Sequence, residues 1–494
     1  MRLKTAIASA LACVAGLTAA TSASAAPIAW HGCGPDLPRA LQCGEIAVPL
    51  DYADPGGAKV SLAFARLPAA HPAKRVGSLI INPGGPGATG TSFIAPEAAG
   101  QHLWHPRLHQ RFDLIGMDPR GIGTSTPVQC EPDTFNAPVS LFPRSADEFA
   151  QLESYVGAIG QGCLARTGPF LGHVDTLSVA RDVEALRRAL GNKKLNFLGL
   201  SYGAEIGSLY AELYPKRIRA MALDGILDHS VATKRTFDSL ARAYEDSFDR
   251  FAAWCRHAAA CALHGRDVGA MFDALVARAD REPIPASRCS SEPCRPAVTG
   301  GDIRRNAFVA FTTKRPEPIL GLPGWVGLGA ALARAEQGDA SAFATPLATD
   351  PLSDPGPPLA VNCLDYRREI RTYEDYTAMV ARGRRLAPHT QGAGEAWLGI
   401  LGCMRWPVPV ANPPHVPKVH GAPPILLVSA THDPSTPIVG ARRMARQIPG
   451  SVLLTRNGDG HTSSWLGARS DTASAIVDYL VTRKLPSRGT HLPD

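Results

Sequence analysis

The 494-residue sequence lacks long hydrophobic runs beyond its N-terminus and lacks clusters of basic residues. Without an apolar segment of about 20 residues, the body of the chain is not a multi-pass membrane protein. Lys and Arg occur in runs of at most two, and the net charge of +7 is spread along the chain, which argues against nucleic acid as a partner. Hydrophobic residues make up 45% and charged residues 19%, which is typical of a globular protein.

The sequence also lacks a Cys-x-x-Cys motif, which argues against a structural zinc site. It does contain 11 cysteines, and removal of Cys13 with an N-terminal segment would leave ten, an even number that favours disulfides in an exported protein. For any one pair, free buried cysteines are the alternative. Proximity along the chain suggests the pairs Cys33–Cys43, Cys130–Cys163, Cys255–Cys261 and Cys289–Cys294, which leaves Cys363 with Cys403.

The first 25 residues have the pattern of a signal peptide. Arg2 and Lys4 precede an apolar stretch, and Ala23-Ser24-Ala25 forms a small-x-small cleavage signal. The pattern predicts cleavage near Ala25 and a secreted protein. The alternative is a membrane anchor, for which the apolar stretch Thr5–Ala20 is short.

Two parts of the chain alternate short apolar strands with amphipathic helices. Examples are the predicted strands Gly77–Asn82 and Leu195–Leu200 and the predicted helix Thr472–Thr482. This alternation predicts an α/β fold with a mostly parallel central sheet covered on both faces. The pattern stops near Leu227 and resumes near Pro423, with largely helical, proline-interrupted sequence between. We therefore expect a core in residues 26–228 and 421–494, with a large, mainly helical cap inserted at 229–420.

A candidate nucleophile lies in Gly199-Leu200-Ser201-Tyr202-Gly203, a G-x-S-x-G motif between an apolar strand and a helix. In this context a sharp turn presents the serine hydroxyl at the helix N-terminus, and the flanking positions must be small. The motif occurs by chance when it stands alone, and the strand and helix around it make it specific. The alternative is a glycine-rich turn with an inert serine.

Asn82-Pro83-Gly84-Gly85-Pro86-Gly87 follows an earlier predicted strand and is suited to place backbone N–H groups near a developing oxyanion. We assign one oxyanion donor to the N–H of Gly85 and the other to the N–H of Tyr202. The segment Gly85–Gly90 also fits a dinucleotide-binding G-x-G-x-x-G pattern. Against that interpretation, Pro86 removes an N–H from the turn.

The candidate acid and base follow the cap in the order that a serine hydrolase of this kind uses. Asp433 comes just after the predicted strand Ile425–Ser429, and His461 comes after the next predicted strand. His461 would act as the general base for Ser201, and Asp433 would orient its imidazole. Asp433 could instead cap a helix, and Asp459 is the rival acid.

With these residues assigned, the chain resembles the secreted actinobacterial tripeptidyl aminopeptidases of the α/β-hydrolase family, with proline iminopeptidases as more distant relatives. The resemblance implies an α/β-hydrolase fold, a Ser201–Asp433–His461 triad, an oxyanion hole in the glycine-proline motif, and a cap that favours peptides with a free N-terminus. The matching segments are VPLDYADP (Val48–Pro55), NPGGPG (Asn82–Gly87), FDLIGMDPRGIGTS (Phe112–Ser125), GLSYG (Gly199–Gly203), LDGILD (Leu223–Asp228), SATHDPSTP (Ser429–Pro437) and GDGH (Gly458–His461).

An exopeptidase needs a carboxylate that binds the α-ammonium group of its substrate. Asp365, beside Cys363, is our first candidate and Glu205 the second. The alternatives are a surface acid for Asp365 and a satisfied helix residue for Glu205.

The sequence therefore predicts a secreted serine peptidase that acts on peptide substrates and releases short peptides, tripeptides above all, from free N-termini. A carboxylesterase or lipase-like hydrolase of the same fold is the alternative, and a binding protein on a hydrolase fold would need a broken triad. We expect no metal or organic cofactor, because proton transfer and covalent acylation suffice for the reaction.

Overall fold

The computed structural model describes residues 27–290, 293–353, 355–465 and 470–493, so the predicted signal peptide lies outside the described residues. The described chain contains a ten-stranded sheet and a two-stranded sheet. The strands are β1 (His31–Gly32), β2 (Gln42–Pro49), β3 (Lys59–Leu67), β4 (Gly77–Asn82), β5 (Phe112–Met117), β6 (Leu195–Leu200), β7 (Ile218–Asp224), β8 (Ile284–Pro285), β9 (Ala297–Val298), β10 (Leu426–His432), β11 (Val452–Asp459) and β12 (His491–Pro493).

The large sheet has the strand order β1-β2-β3-β5-β4-β6-β7-β10-β11-β12. The pairs at the β1 edge, up to β3 with β5, are antiparallel, and every pair from β5 to β12 is parallel. All six residues of β5 and all six of β6 are buried. Such continuous apolar strands are typical of a parallel sheet that is covered on both faces. The carboxyl ends of β4, β6, β7, β10 and β11 consequently meet at one edge.

Helices cover both faces of the sheet. On one face α5, α6 and α14 contribute buried residues to the same cluster as Phe197 and Leu223, and on the other face α1, α2 and α15 pack with Leu198 and Ala222. The helices are α1 (Gly90–Ala98), α2 (Pro106–Arg111), α3 (Pro132–Phe135), α4 (Ala146–Thr167), α5 (Thr176–Ala189), α6 (Tyr202–Leu213), α7 (Thr233–His257), α8 (Val268–Arg281), α9 (Gly300–Asn306), α10 (Gly324–Glu336), α11 (Gly356–Asp365), α12 (Tyr373–Leu386), α13 (Ala396–Gly402), α14 (Ile438–Gln447) and α15 (Asp471–Thr482). The predicted α/β-hydrolase fold with a mostly parallel sheet is confirmed.

The chain between β7 and β10 holds α7 to α13 and the small β8–β9 sheet. It has a hydrophobic cluster of its own, built around Phe248, Phe251, Phe311 and Trp325. Leu359, Val361 and Leu364 of α11 belong instead to the cluster of the main sheet, so the segment has a core of its own and is also packed on the sheet. We use the word cap for this segment, and the division of the chain at residues 228 and 420 stays a prediction.

Five disulfides connect the chain, and each joins two cysteines that were paired from the sequence. Three of these bonds lie within the cap, and one of the three, Cys363–Cys403, joins the end of α11 to the end of α13. The remaining bonds are Cys33–Cys43 and Cys130–Cys163. Within the described ranges, no helix has both the length and the apolar character that crossing a membrane requires.

A buried ion pair holds the loop after β5 to α5. Arg120 donates two hydrogen bonds of 2.7 Å to Asp182, and both side chains are fully buried. Its remaining N–H groups donate to the backbone carbonyls of Pro49, Leu50 and His173. Each nitrogen of the Arg120 guanidinium thus has a hydrogen-bond acceptor, which is the condition under which a buried charge is tolerated.

We expect Arg120→Met to lower the free energy of unfolding by about 3–5 kcal/mol, because Asp182 would remain as a buried carboxylate without its partner. Chemical denaturation of the variant measures this loss. The double variant Arg120→Met, Asp182→Leu removes both charges and should recover much of the stability. A single variant as stable as the unsubstituted protein would contradict this account.

Candidate active site

Ser201 lies at the sharp turn between β6 and α6, with backbone angles of φ 56° and ψ −121°. A non-glycine residue rarely adopts a positive φ, and such strain is typical of functional positions. The turn needs small neighbours, because a Cβ on Gly199 would lie 2.2 Å from the carbonyl oxygen of Gly203, and a Cβ on Gly203 would lie 2.5 Å from that of Asn82. The two glycines of the motif are therefore required by backbone packing.

The glycine-proline loop after β4 lies directly against this turn. A Cβ on Gly84 would lie 2.5 Å from the carbonyl oxygen of Leu200 and 2.8 Å from the Cβ of Ser201. Gly84 and Gly85 have φ of 101° and 105°, which favour glycine. The side chain of Asn82 accepts a 3.0 Å hydrogen bond from the N–H of Gly84 and so fixes the start of the loop.

The two predicted oxyanion donors lie at the same place. Gly85 lines a cavity together with Ser201, and the N–H of Tyr202 is the first of α6. The N–H groups at a helix N-terminus have no partner within the helix and carry partial positive charge. Among the described residues, neither N–H donates to another group of the chain. Both therefore remain available to an oxygen of a bound substrate.

Asp433 and His461 come together at the ends of β10 and β11. The Nδ1 atom of His461 lies 2.9 Å and 3.0 Å from the two carboxylate oxygens of Asp433. The carboxylate also accepts hydrogen bonds from the N–H groups of Ser435 and Thr436 and from the hydroxyl of Thr436. That hydroxyl also lies 3.2 Å from His461 Nδ1, so Thr436 contacts the side chains of both Asp433 and His461.

The pairing shifts both pKa values. Burial opposes each charged form, but the neighbouring His461 ring outweighs it and holds the pKa of Asp433 below its usual value. In the same way burial is outweighed by the Asp433 carboxylate, and the pKa of His461 is raised. Asp433 is therefore an anion that stabilises a proton on His461, which is what a general base requires of its partner.

The nucleophile turn and the His461 loop meet at the end of β7. The N–H of Ser201 donates to the carbonyl of Asp224 at 2.9 Å, and a Cβ on Gly225 would lie 3.0 Å from Cε1 of His461. The cavity that holds Ser201 is also lined by Thr436. Within the described chain the Ser201 hydroxyl forms no hydrogen bond, and such contacts often tighten only when substrate is bound.

Asp224 is a site residue that sequence reasoning missed. Its Oδ2 atom accepts hydrogen bonds of 2.7 Å and 2.6 Å from the N–H groups of Ser463 and Ser464, just after His461. Burial raises the pKa of Asp224, and the Ser463 and Ser464 hydrogen bonds oppose that rise. Its position at the end of an apolar strand, in the LDGILD segment, was the available signal.

The rival acid of the sequence analysis has a different role. Asp459 forms ion pairs with Arg250 and with Lys314, the latter at 2.9 Å. Burial is outweighed by these two cations, which hold the pKa of Asp459 below its usual value. Asp459 thus joins β11 to the cap, and it is not the partner of His461.

The structure does not bring Asp365 and Glu205 to the Ser201 cavity. Asp365 is 1% exposed and accepts hydrogen bonds from the N–H of Thr176 at 3.1 Å and the side chain of Asn412 at 2.9 Å. Glu205 is also 1% exposed and lies 3.2 Å from His229 Nδ1, and burial raises its pKa to about 8. Neither residue lines the cavity, because both carboxyls are buried in other contacts, Asp365 at the end of α11 and Glu205 within α6.

Asp365 instead connects the cap to the oxyanion region. The hydroxyl of Thr176 is hydrogen-bonded to Asp365 and, at 2.8 Å, to the phenol oxygen of Tyr202. Burial, together with the nearby Glu205 carboxyl, raises the pKa of Asp365 well above its usual value. The hydrogen-bonded chain Asp365–Thr176–Tyr202 therefore fixes the side chain of a proposed oxyanion donor.

A cavity of about 140 Å³ lies between the sheet edge and the cap, with Ser201 and Gly85 on one side. The cap contributes Glu395, at the start of α13, as well as apolar residues of α7 and α13. Burial raises the pKa of the Glu395 carboxyl, and the nearby His461 and Ser435 partly offset that rise. Glu395 is a second residue that sequence reasoning missed, because its position depends on how the cap folds.

One cluster in the cap has side chains that a metal ion could use, namely Glu245, Asp249 and His389. The Glu245 oxygens already accept hydrogen bonds from the N–H groups of His389 and Thr390. None of the three residues lines the Ser201 cavity. The chemistry of Ser201 and His461 does not depend on this cluster.

The pH dependence of catalysis should report His461. A base must be neutral, so kcat/KM should rise as His461 loses its proton, at a pH above the ordinary imidazole value because Asp433 raises the pKa.

In Asp433→Asn the remaining effect of burial favours the neutral ring, so the imidazole pKa, followed by NMR titration, should fall. We expect kcat to fall about 10⁴-fold. Asp459→Asn is the matched control, and an equal loss in that variant would contradict the assignment.

Substitution of Asp365 should affect all substrates alike. Asp365→Ala leaves Thr176 without its partner, and we expect kcat to fall about tenfold for esters and for peptides. Asp365→Asn should retain more activity, because an amide can satisfy the same neighbours. Kinetics with an acyl ester and an unblocked peptide test this. A loss confined to unblocked peptides, in both variants, would show instead that Asp365 binds the amine.

Comparison with known proteins places this geometry in a family. The model of the alpha/beta hydrolase fold family matches residues 77–468. The serine protease Hip1 of Mycobacterium tuberculosis is 33% identical over 485 residues, which cover 94% of this chain and 90% of that protein. The tripeptidyl aminopeptidase of Streptomyces lividans is 31% identical, over 95% of this chain and 87% of that protein. The carboxylesterase B of Mycobacterium tuberculosis is 32% identical, over 96% of this chain and 91% of that protein.

The family match extends over most of the chain, and these relatives are similar over nearly its whole length. The family match also agrees with the parallel sheet and with the position of the Ser201 turn after β6. The chain therefore belongs to the alpha/beta hydrolase fold family.

Proposed function

We propose that the protein is a secreted serine peptidase that releases short peptides, tripeptides above all, from the free N-termini of polypeptides. The observation that carries this proposal is the composition of one cavity. Ser201 and Gly85 line it from the core, and the carboxyl of Glu395 lines it from the cap. A nucleophile, an oxyanion donor and a group that binds an α-ammonium are the three elements that an aminopeptidase of this chemistry needs.

In the proposed reaction, the Ser201 hydroxyl attacks the scissile carbonyl while His461 takes its proton. The carbonyl oxygen becomes an oxyanion that the N–H groups of Gly85 and Tyr202 bind. His461 then gives the proton to the departing amine, the C–N bond breaks, and an acyl-enzyme on Ser201 remains. Water, deprotonated by His461, cleaves that ester and restores the serine.

Glu395 is the group that we assign to the substrate amine, in place of Asp365 and Glu205. It lines the cavity, whereas the other two are turned away from it. Glu395 is an exposed residue at the wall of this cavity, so a bound ammonium group can reach its carboxylate. An α-ammonium group would form an ion pair with that carboxylate, which favours substrates with a free N-terminus.

The relatives support this class of substrate by their names, which include a tripeptidyl aminopeptidase and a serine protease. Secretion is supported by the signal-like sequence at the N-terminus and by five disulfides, which persist in oxidising compartments.

An esterase of the same fold is the second candidate. The cavity wall includes Ile226, Val231, Leu240 and Ile400, which would accept an acyl chain as readily as an apolar peptide side chain. One of the similar proteins is named a carboxylesterase. The Glu395 carboxyl at the cavity wall favours the peptidase, because it would gain an ion pair from an α-ammonium group and none from an uncharged acyl group.

The peptidase and the esterase differ in whether they prefer substrates with a free N-terminus. We expect kcat/KM for an unblocked tripeptide anilide to exceed that for its N-acetylated form by at least about tenfold, because the acetyl group removes the cation that Glu395 binds. Anilide release from both substrates, and hydrolysis of a short acyl ester, should be measured in parallel. Equal rates for the free and acetylated peptides, with faster ester hydrolysis, would establish the esterase instead.

Glu395→Gln should abolish this preference selectively. Removing the charge should raise KM for unblocked peptides about tenfold or more and leave ester hydrolysis within about twofold. Asp228→Asn is a suitable control, because Asp228 lines the same cavity but is already paired with Arg443. If the ratio of free to acetylated substrate does not change in Glu395→Gln, another group binds the amine.

A further inference from the structure

We propose that a second binding site, for an anionic group attached to a flat apolar body such as an aromatic ring, lies between the cap and the segment before α4. The site is a cavity of about 360 Å³, which we call the arginine cavity. It lies between the segment before α4 and the helices α8, α9 and α12, with the start of α13 as one wall. The residues that define it are Arg144, Asp280, Arg304, Tyr373, Arg384 and Trp397.

The positive charge of the arginine cavity is only partly compensated. Three arginines line it, against the single carboxylate of Asp280. That carboxylate is shared at long range, since Arg144 and Arg304 each approach it at 3.5 Å. Neither contact is the short bidentate pair that an arginine and a carboxylate form when they satisfy each other.

Arg304 is the most buried of the three. Its side chain is only 16% exposed, and its buried Nε atom has no hydrogen-bond partner among the described residues. Burial lowers the pKa of Arg304, Asp280 opposes that effect, and Arg384 adds to it. A buried donor without an acceptor is uncommon in folded proteins and points to a group that the protein binds.

Aromatic rings form the rest of the wall. Phe142 and Trp397 are stacked with ring centroids 5.1 Å apart and planes 18° apart, and Tyr373 stacks on Tyr376 with planes 22° apart. All four rings line the cavity. Gly301 leaves room for the Phe142 ring, because a Cβ at residue 301 would lie 2.3 Å from that ring. Such walls accept a planar apolar group, while arginines bind carboxylate or phosphate.

The arginine cavity is separate from the Ser201 cavity, although the two share a wall. Trp397 lines the arginine cavity, whereas Ala396, Gly399 and Ile400 of the same helix α13 line the Ser201 cavity. A ligand in the arginine cavity would thus be bound outside the reach of Ser201. The proposal does not depend on the assigned peptidase activity.

The test is a binding measurement by calorimetry on the full chain with phenyl phosphate, benzoate, benzamide and inorganic phosphate. We expect one or both aromatic anions to bind with a Kd below about 1 mM, and benzamide, which matches benzoate without its charge, to bind at least about tenfold more weakly. The tighter of the two anions tells whether the natural group is a carboxylate or a phosphate ester. Inorganic phosphate should bind more weakly than phenyl phosphate, because it lacks the ring.

Variants locate the binding. Arg384→Gln changes an exposed side chain and should weaken binding about tenfold, whereas Arg385→Gln, the neighbour that does not line the cavity, should leave the Kd within about twofold. Arg304→Gln should abolish binding, and Arg304→Lys, which keeps the charge, should restore part of it. No binding of either aromatic anion, equal binding of benzamide, phosphate bound as tightly as phenyl phosphate, or an unchanged Kd in Arg384→Gln would each overturn the proposal.

Discussion

The candidate site depends on the buried end of β7, where Asp224 connects three strand ends. Its carbonyl accepts the N–H of Ser201, its carboxylate accepts the N–H groups that follow His461, and the N–H of the next residue, Gly225, donates to the carbonyl of Val428 in β10. Since β10 leads directly to Asp433, one turn of backbone fixes the proposed nucleophile, base and acid relative to one another. The parallel sheet supplies the rest, because parallel strands bring their carboxyl ends to a common edge.

The cap acts on this edge in two ways. It encloses the Ser201 cavity and places Glu395 in it, which defines the chemistry of what can bind there. It also reaches into the core through Asp365, which is bonded to Thr176 and through it to Tyr202, and through Lys314, which pairs with Asp459 of β11. Buried hydrogen bonds of this kind couple the position of the cap to the geometry of the oxyanion donors.

The sequence predicted those parts of the site that local geometry decides. The Ser201 turn follows from strand, glycine and helix signals within a few residues, and the glycine-proline loop follows from its place after β4. Predicted elements such as Gly77–Asn82 and Leu195–Leu200 coincide with β4 and β6, because a buried parallel strand is an unbroken apolar run. The short edge strands β1 and β12 escaped prediction, since two or three residues carry no periodic pattern. The candidate acid and base could be proposed because chain order and strand ends restrict the choice to a few residues.

What could not be predicted depends on how the cap folds over the core. Asp365 and Glu205 were chosen as amine-binding residues because they are acidic and close in sequence to other motifs, yet both are turned into buried networks. Glu395 carries no sequence signal at all, because only the packing of α13 against the sheet edge brings it near Ser435. The arginine cavity is likewise formed by segments from five parts of the chain.

The most direct test of the central claim is to treat the protein with a fluorophosphonate and map the adduct by mass spectrometry of its peptides. The account predicts a single stoichiometric adduct on Ser201, formed at least about 100-fold more slowly in His461→Ala, because the base that activates the hydroxyl is then missing. Failure of the protein to react, or an adduct on another serine while Ser201 stays unmodified, would contradict it.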